Sequence, residues 1–372
     1  MKTHSDGTNN VLKRTGRMLL AFSVFAVSAG FVNTARSEDT LSLIAPDGRS
    51  NGKHIVLVAG DEEYRSEESM PMLGKILSQR FGFRCTVVFS LGPDGADYID
   101  ANNQKGLRGL AALQSADLMI IATRFRQPDE QQAKYIADFL NAGKPVIGLR
   151  TATHAFRGSQ KFGSTLSFDE FGLKILGEQW VSHHGRHKVE GARGVIEPKH
   201  KDHPILNGVT DVFAPSDVYG VVHLKQDDQI LMRGAVTKSL DPKSEILKDD
   251  KRNAPMQPFA WLHKYTSPEG TKQGTSFCTT GGASVDLLNE DLRRMVINAA
   301  LYLTGFEVPE MADVSFVDDF HPSFFGFIND PSYWKTLGLK PENYALGRSP
   351  RNPDPPGTPN WPHRPAPPKP LQ

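Results

Sequence analysis

Three histidines within five residues form a compact group of side chains that could bind a metal ion or transfer a proton. They are His183, His184 and His187. His183 and His187 are four residues apart, which is the spacing of two metal ligands on one face of a helix. Gly185 and the strand-like residues after it favour a loop instead. The group therefore predicts either a divalent metal site, Zn²⁺ with His183 and His187 as ligands, or a polar loop in which neutral His184 acts as a general base.

A second reactive group follows directly after a short apolar strand. Residues 145–149 are apolar, and Arg150, Thr151 and His154 come next in a polar turn. In many hydrolases a strand, a sharp turn and a helix also present the nucleophile, which is a Ser or Cys at the tip of the turn. In this chain the residue at that position is Arg150. We therefore predict a site without a covalent intermediate, in which His154 is a general base and Arg150 stabilises an oxyanion.

Alternating strands and helices determine where these groups lie. Between residues 53 and 150, helical periodicity and polar loops separate four apolar runs of strand length, at residues 54–59, 85–89, 117–122 and 145–149. Near-continuous apolar strands that alternate with helices are typical of a parallel sheet covered by helices on both faces. The predicted fold is therefore α/β, with a mainly parallel sheet.

Polar side chains gather at the carboxyl ends of these strands, which is the edge where α/β sheets bind ligands. The first strand is followed by Asp61, Glu62 and Glu63, the third by Arg124, and the fourth by Thr151. We predict that Glu62, Arg124 and Thr151 contact a ligand; the alternative is a set of ion pairs that satisfies the loop ends. No glycine-rich phosphate motif follows the first strand, so the pattern does not indicate a nucleotide or dinucleotide site.

The first 36 residues have the composition of a signal peptide. Basic residues precede an apolar run at residues 18–32, which is shorter than a comfortable membrane span. We therefore predict that residues 1–36 are cleaved, that the protein is exported to the periplasm or secreted, and that the mature chain keeps no stable membrane span. A formal net charge of +1 gives no support for a nucleic-acid partner. The oligomeric state is left open.

An ordered set of motifs across residues 53–307 resembles the ThuA-like (trehalose utilisation) family. The motifs lie at residues 56–60, 117–122, 143–154, 257–263 and 274–283. That family has a flavodoxin-like fold of the class I glutamine amidotransferase type, so the resemblance implies this fold here. It also implies a role in disaccharide use, with a small-molecule carbohydrate as the ligand. Glutamine amidotransferases carry a catalytic Cys at the turn where this chain has Arg150, so glutaminase activity is not implied.

Two further binding residues rest on the same resemblance. Asp217-Val-Tyr219 resembles an Asp-Glu-x-Tyr block of the family, with one acid missing. Asp217 and Tyr219 are therefore predicted to contact a hydroxyl-rich ligand, with core packing as the alternative for Tyr219. Three functions stay open at this point: a carbohydrate-acting enzyme or sugar binder, a metal-dependent hydrolase built on the three histidines, and a non-catalytic sugar-sensing or scaffold module.

The chain after the predicted domain divides into two parts. Residues 308–347 keep many aromatic side chains and are predicted to dock on the domain as an extension. Residues 348–372 are rich in proline and polar residues, which is typical of an extended, polyproline-like and disordered tail. We therefore place the domain at residues 53–307, with its site built from the loops described above.

Overall fold

Ten strands form one sheet in the structure, a computed structural model that describes residues 39–361. In chain order the strands are β1 (Thr40–Leu43), β2 (His54–Gly60), β3 (Arg84–Phe89), β4 (Leu118–Thr123), β5 (Val146–Leu149), β6 (Lys161–Phe162), β7 (Leu166–Ser167), β8 (Ala192–Ile196), β9 (Phe213–Ala214), β10 (Gln229–Val236), β11 (Gln257–Thr266) and β12 (Gln273–Thr279). The α-helices are α1 (Ser66–Phe81), α2 (Glu130–Asn141), α3 (Glu290–Leu303) and α4 (Tyr333–Leu337). β6 and β7 form a separate hairpin.

The predicted signal peptide lies outside the described residues. Within residues 39–361, no helix is both long and apolar enough to cross a membrane. Cleavage of residues 1–36 and export therefore stay predictions.

The sheet has a parallel centre and antiparallel flanks. Its order is β1-β3-β2-β4-β5-β12-β11-β10-β8-β9. The four pairs from β3 to β12 are parallel, whereas β1 and the strands from β11 to β9 pair antiparallel. The predicted parallel sheet therefore describes the centre and not the flanks. β11 and β12 illustrate the reason, because only residues 267–272 join them and so short a connection makes an antiparallel pair.

Helices cover both faces of the parallel centre, as predicted. Every residue of β2 is buried. Ile55 and Leu57 enter one hydrophobic core together with side chains of α1 and α3, and the alternating Val56 and Val58 enter a second core with side chains of α2. Successive side chains of a strand point to opposite faces, so a strand that is apolar throughout must be covered on both sides.

Local sequence signals set the helix boundaries. Asp129 and Asn289 accept hydrogen bonds from backbone N–H groups three residues later and cap α2 and α3. α1 ends at Gly82, where φ is +80° and a Cβ would lie 2.1 Å from the Arg49 carbonyl oxygen, so this turn requires glycine. α1 begins soon after β2, and residues 61–65 therefore form a turn at the carboxyl edge of the sheet.

The chain beyond α3 packs against the domain as far as Trp361. Asp354 Oδ1 accepts a hydrogen bond from the Phe324 backbone N–H at 2.9 Å. Trp361 is 7% exposed, and its ring centre lies 5.4 Å from that of Phe324. Residues 348–361 therefore differ from the predicted disordered tail, because a carboxylate and an aromatic ring among the prolines supply hydrogen bonding and apolar area. Residues 362–372 lie outside the described part of the chain.

Candidate functional site

A pocket of about 130 Å³ opens at the carboxyl ends of β2, β4 and β5. The strand order changes direction between β2 and β4, and such a switch point leaves a crevice between diverging loops. The residues that line the pocket are Glu63, Tyr64, Arg124, Phe125, Arg150, Thr151, His154, Trp180, His183, Tyr219 and Phe327. Six of the ten residues predicted from the sequence are therefore brought together in one space.

Arg150 lines the pocket, but its guanidinium is held by the protein. Nη1 donates to the carbonyl oxygens of Asp217 and Thr280 at 3.0 and 2.9 Å. Nη2 donates to Tyr64 Oη and to Asp217 Oδ1, both at 3.1 Å. The guanidinium also lies over the Tyr64 ring, 4.5 Å from its centre. With these N–H groups engaged, Arg150 orients Asp217, and an oxyanion-stabilising role would require it to leave those partners.

Asp217 is a buried carboxylate surrounded by three nitrogen-bearing side chains. Its Oδ1 accepts from Arg150, whereas Oδ2 lies 3.0 Å from His187 Nδ1 and 3.2 Å from His183 Nδ1. Burial alone would raise the pKa of Asp217, but the charge of Arg150 and hydrogen bonds with the two histidines outweigh burial and hold the pKa at about 2. Asp217 is therefore ionised at neutral pH.

His183 and His187 share this carboxylate and lie in a loop. Their ring centres are 4.1 Å apart, and His187 Nε2 is 3.4 Å from Glu63 Oε1. Burial lowers the pKa of His187, but hydrogen bonds to Asp217 and Glu63 outweigh burial and raise it. One potential ligand atom from each of His183, His187 and Asp217 lies within 4.8 Å of the others. The structure thus brings Asp217 to the two predicted metal ligands.

His184 is turned towards a different part of the protein. His184 Nε2 lies 2.6 Å from the Arg252 carbonyl oxygen, so Nε2 carries a hydrogen and donates it there. The His184 backbone N–H donates to the Val218 carbonyl oxygen at 3.1 Å. His184 is not among the described residues that line the pocket. The structure therefore gives the predicted general base no contact with a ligand in this pocket.

Glu62 forms ion pairs, which was the alternative to a ligand contact. Its carboxylate oxygens bind Arg124 and Arg126, the latter at 2.5 Å. Arg126 is completely buried and therefore depends on this partner. The next residue, Glu63, lines the pocket instead. Arg124 also reaches the pocket, with its guanidinium carbon 4.5 Å from the centre of the Phe125 ring.

Thr151 and Tyr219 line the pocket with hydroxyl groups that have protein partners. Thr151 Oγ1 donates to Asp61 Oδ2 at 2.5 Å. Asp61 Oδ1 accepts from the Glu63 backbone N–H at 2.7 Å, so this pair holds the turn that presents Glu63. The Tyr219 hydroxyl donates to the Arg150 carbonyl oxygen at 3.1 Å. Both residues therefore shape the pocket through contacts within the protein.

His154 lies between two aromatic rings and has one free ring nitrogen. Its ring centre is 5.0 Å from that of Phe125 and 5.3 Å from that of Trp180. Among the described residues, none forms a hydrogen bond with His154 Nδ1. Burial, reinforced by nearby arginines, lowers the pKa of His154 to about 3. Neutral His154 therefore suits a hydrogen bond to a ligand better than proton abstraction, which needs a pKa near the working pH.

The family model described as Trehalose utilisation (ThuA) matches residues 55–303. The chain belongs to the ThuA family. Two solved structures of thua-like proteins resemble it. The protein from Bacteroides uniformis is 11% identical with a TM-score of 0.42, over 70% of this chain and 94% of that one. The protein from Parabacteroides merdae is 12% identical with a TM-score of 0.43, over 70% and 93%. No curated protein has significant sequence similarity to the chain.

Five residues that line the ThuA pocket are not among the site residues predicted from the sequence: Glu63, Tyr64, Phe125, Trp180 and Phe327. Glu63 and Tyr64 belong to the polar turn that contains Glu62, and the three-dimensional path of the turn decides which side chain enters the pocket. Trp180 stands three residues before the histidine group, which is a usable signal. No local pattern connects Phe327 with the strand ends.

The segment after the ThuA match contributes directly to this pocket. Phe327 is 41% exposed, and its ring centre lies 5.0 Å from the Arg124 guanidinium carbon. Phe325 is buried, with its ring centre 5.0 Å from that of His187. The extension therefore supplies one wall that the ThuA match itself does not contain.

Proposed function

We propose that the ThuA pocket binds one ring of a small carbohydrate and that the protein acts in carbohydrate utilisation. The observation that carries this proposal is that aromatic faces and charged groups line one space. Phe125, Trp180 and Phe327 lie there with Glu63 and Arg124. Flat aromatic faces pack against the C–H groups of a sugar, and polar groups bind its hydroxyls. The family description, trehalose utilisation, supports the same ligand class.

The size of the pocket supports a single ring rather than a whole disaccharide. Its volume is about 130 Å³, whereas pockets that enclose drug-sized ligands measure roughly 300–1,000 Å³. One ring of a disaccharide would therefore enter, and the other would remain at the mouth.

Hydrogen bonding within the protein determines which polar groups are left for the sugar. The side chains of Arg150, Thr151 and Tyr219 are bound to protein partners. His154 lines the pocket, and a neutral imidazole can donate one hydrogen bond to a sugar hydroxyl or accept one from it. We infer that His154 contacts the sugar, together with Glu63 and Arg124.

Catalysis is a second candidate function, and the carboxylate that His183 and His187 share favours it. Imidazoles held by Asp217 beside a bound hydroxyl are suited to proton transfer. His183 also lines the pocket. Neutral His154 is a weak base with a pKa of about 3, so in a site that holds no metal ion we assign any acid–base role to His183 and His187.

The relation to glutamine amidotransferases is also part of the proposal. The parallel strands run β3-β2-β4-β5-β12, which is the 2-1-3-4-5 order of flavodoxin-like sheets. Glutaminase chemistry is not proposed, because Arg150 stands at the turn after β5 and both cysteines are buried within strands, Cys85 in β3 and Cys278 in β12. Burial raises the pKa of the Cys85 and Cys278 thiols, which disfavours a reactive thiolate.

Export by a cleaved signal peptide completes the proposal. It rests on the basic and apolar composition of residues 1–36. Amino-terminal sequencing of the protein from its native cells should begin after this segment. A mature protein that still begins at residue 1 would contradict export by cleavage.

Binding of trehalose and glucose to the purified protein tests the sugar pocket. A ligand that binds the folded state stabilises it by about 2.7 kcal/mol at 100 times its Kd, so the melting temperature rises. Trp180→Ala should weaken binding by about 10-fold, which is about 1.4 kcal/mol, because an aromatic wall is lost. Tyr302→Ala is the matched control, since Tyr302 is an aromatic residue of α3 that is 39% exposed and is not among the residues that line the pocket.

Three results bear on the proposal. If neither sugar changes the melting temperature, or if Trp180→Ala binds as tightly as Tyr302→Ala, the pocket is not a carbohydrate site. Release of reducing sugar from trehalose would establish hydrolysis. Binding without release would favour a sugar-sensing or scaffold module.

A further inference from the structure

Two imidazoles and one carboxylate converge beside the pocket with the spacing that a metal ion requires. We propose that His183, His187 and Asp217 bind one divalent transition-metal ion, and that Zn²⁺ is the ion best suited to them. Catalytic zinc sites use three protein ligands of this kind, nitrogen and oxygen, and leave at least one coordination position open. Asp217 is 34 residues from His183, so the tertiary structure, and not motif spacing, assembles this set.

The distances within the cluster agree with coordination of a common ion. His183 Nδ1 and His187 Nδ1 lie 3.2 and 3.0 Å from the same oxygen, Asp217 Oδ2. With zinc–nitrogen and zinc–oxygen distances of about 2.0–2.2 Å, two ligand atoms lie about 2.9 Å apart at a right angle and about 3.4 Å apart at a tetrahedral angle. Both observed distances fall within this interval, and the third, between the two imidazole nitrogens, is at most 4.8 Å. Two of the three distances between ligand atoms therefore already match coordination of one ion.

Two neighbouring side chains hold the cluster as outer-shell partners would. Arg150 donates to Asp217 Oδ1 at 3.1 Å and orients the carboxylate, whose Oδ2 lies within 3.2 Å of both histidine Nδ1 atoms. Glu63 Oε1 lies 3.4 Å from His187 Nε2. No other described residue offers this buried nitrogen a hydrogen-bond partner. A ligating histidine commonly donates its second N–H to a carboxylate, which fixes the tautomer. With hydrogen on Nε2 facing Glu63, His187 Nδ1 is left free for the metal.

A hydrogen-bonded cluster without metal is the competing explanation. In it, two imidazole rings with centres 4.1 Å apart donate to one carboxylate, His183 Nδ1 to Oδ1 at 3.4 Å and His187 Nδ1 to Oδ2 at 3.0 Å. Without a metal, His187 faces both carboxylates with N–H groups only as the charged imidazolium, with Nδ1 towards Asp217 and Nε2 towards Glu63. A metal ion at Nδ1 would replace that hydrogen and leave a neutral ring with Nε2–H facing Glu63.

The role of the ion, though not its binding, rests on the proposed sugar pocket. His183 lines that pocket, so an ion held by His183 would lie beside it. A sugar hydroxyl or a water molecule is the natural ligand for its open coordination positions. The site would therefore recognise a hydroxyl-bearing substrate directly.

Metal analysis and Zn²⁺ titration of the purified protein without a histidine tag test the site. The wild type should take up one ion per chain. His183→Ala and His187→Ala should each weaken Zn²⁺ binding by more than the roughly 10- to 100-fold that loss of an outer-shell partner costs. These side chains are 32% and 22% exposed, so both variants should fold, and circular dichroism verifies it.

Two further variants sharpen this test. His184→Ala is the matched control, because it lies in the same loop with its ring bound to the Arg252 carbonyl oxygen, and it should bind Zn²⁺ as the wild type does. Glu63→Gln removes the outer-shell carboxylate while leaving all three ligands, and it should weaken Zn²⁺ binding by roughly 10-fold or more.

The outcomes separate this site from the sugar pocket. If the wild type takes up no Zn²⁺, or if His183→Ala and His187→Ala bind it as tightly as His184→Ala, the metal site is wrong, whatever sugars do. One Zn²⁺ per chain in the wild type, with weaker binding in His183→Ala and His187→Ala than in His184→Ala, supports the site even when no sugar binds. Sugar binding by a protein that takes up no Zn²⁺ would support the sugar pocket and contradict the metal site.

Discussion

Two histidine–aspartate pairs in this molecule have similar distances and different surroundings. His263 Nδ1 lies 2.7 Å from Asp228 Oδ1, and His187 Nδ1 lies 3.0 Å from Asp217 Oδ2. The first pair is buried, with side chains 2% and 3% exposed, and His263 in β11 is level with the beginning of β5. His187 is 22% exposed and lies near the carboxyl ends of the strands.

Their neighbours explain why one pair is structural and the other belongs to a candidate site. At His263 the backbone of Gly177 packs so closely that a Cβ there would lie 2.8 Å from the ring nitrogen. At His187 a second imidazole and Glu63 share the space with a pocket. Within residues 39–361, the group around Asp217 is the one whose three potential ligands could hold a metal ion. A His–Asp pair therefore indicates a site when further titratable side chains from other loops converge on it.

The largest expected effect comes from breaking the buried pair. His263→Ala should destabilise the protein by about 3 kcal/mol, because it leaves Asp228 buried without its partner and opens a cavity. His187→Ala should cost less than about 1 kcal/mol, since Asp217 keeps Arg150 and His183 as partners. Urea denaturation of chelator-treated proteins measures both. Equal losses would show that the two pairs do not differ as described.

The acids of the turn after β2 give a second, smaller contrast. Glu62→Gln should destabilise the protein by about 2 kcal/mol, because completely buried Arg126 loses its charged partner and the amide replaces it in part. Glu63→Gln should cost less than about 1 kcal/mol of stability and should weaken ligand binding instead. Denaturation and sugar titration of both variants check the assignment. A Glu63 variant that unfolds more easily than the Glu62 variant would reverse it.

A histidine without an acidic partner should respond to pH in its own way. The pKa of His154 is about 3 in the folded protein and near 6.5 in an unfolded chain. The unfolded chain therefore binds more protons below pH 6.5, so stability from neutral His154 is present above that pH and is lost as the pH falls towards 3. Between about pH 7.5 and 5.5, this group alone should remove about 1.4 kcal/mol.

His154→Gln isolates this contribution. Denaturation at the two pH values should show a smaller loss of stability for the variant than for the wild type, by that difference. An identical pH dependence would mean that His154 is protonated as easily in the folded protein as in the unfolded chain.

The smallest expected effect concerns the wall supplied by the extension. Phe327→Ala should weaken sugar binding by about 0.5–1.5 kcal/mol through loss of an aromatic contact. Stability should change by less than about 0.5 kcal/mol, because the side chain is 41% exposed. Met311→Ala, in the same extension and 64% exposed, is the control and should leave sugar binding unchanged. Equal affinity in the two variants would remove Phe327 from the binding site.

Residues placed by strand ends could be predicted, and residues placed by turn geometry could not. Arg124, Thr151 and His154 follow apolar strands, and the carboxyl ends of parallel strands share one edge. Of the acids after β2, Glu62 was predicted to contact a ligand, whereas Glu63 lines the pocket; of the three predicted histidines, His184 faces the Arg252 carbonyl oxygen instead. Adjacent residues in a turn point in different directions, so the backbone path decides between them.

Some site residues also adopt backbone conformations that their residue type does not suggest, and these conformations could not be predicted from the sequence. Arg150 and Asp217 both adopt positive φ, at +48° and +71°, a region that residues with a Cβ rarely occupy. These conformations accompany the contact between the Arg150 guanidinium and the Asp217 carboxylate. The sequence motif showed both residues and gave no sign that they bind each other.

The sequence by itself determined the parallel centre of the sheet, its helices and the edge that carries the polar loops. These features follow from local periodicity and burial, which a stretch such as β2 displays over its own length. Only the tertiary structure decided that Asp217 joins His183 and His187, and that Phe327 reaches a pocket formed mainly by residues 63–219. Such contacts join segments far apart in the chain, and their geometry depends on packing that no local pattern encodes.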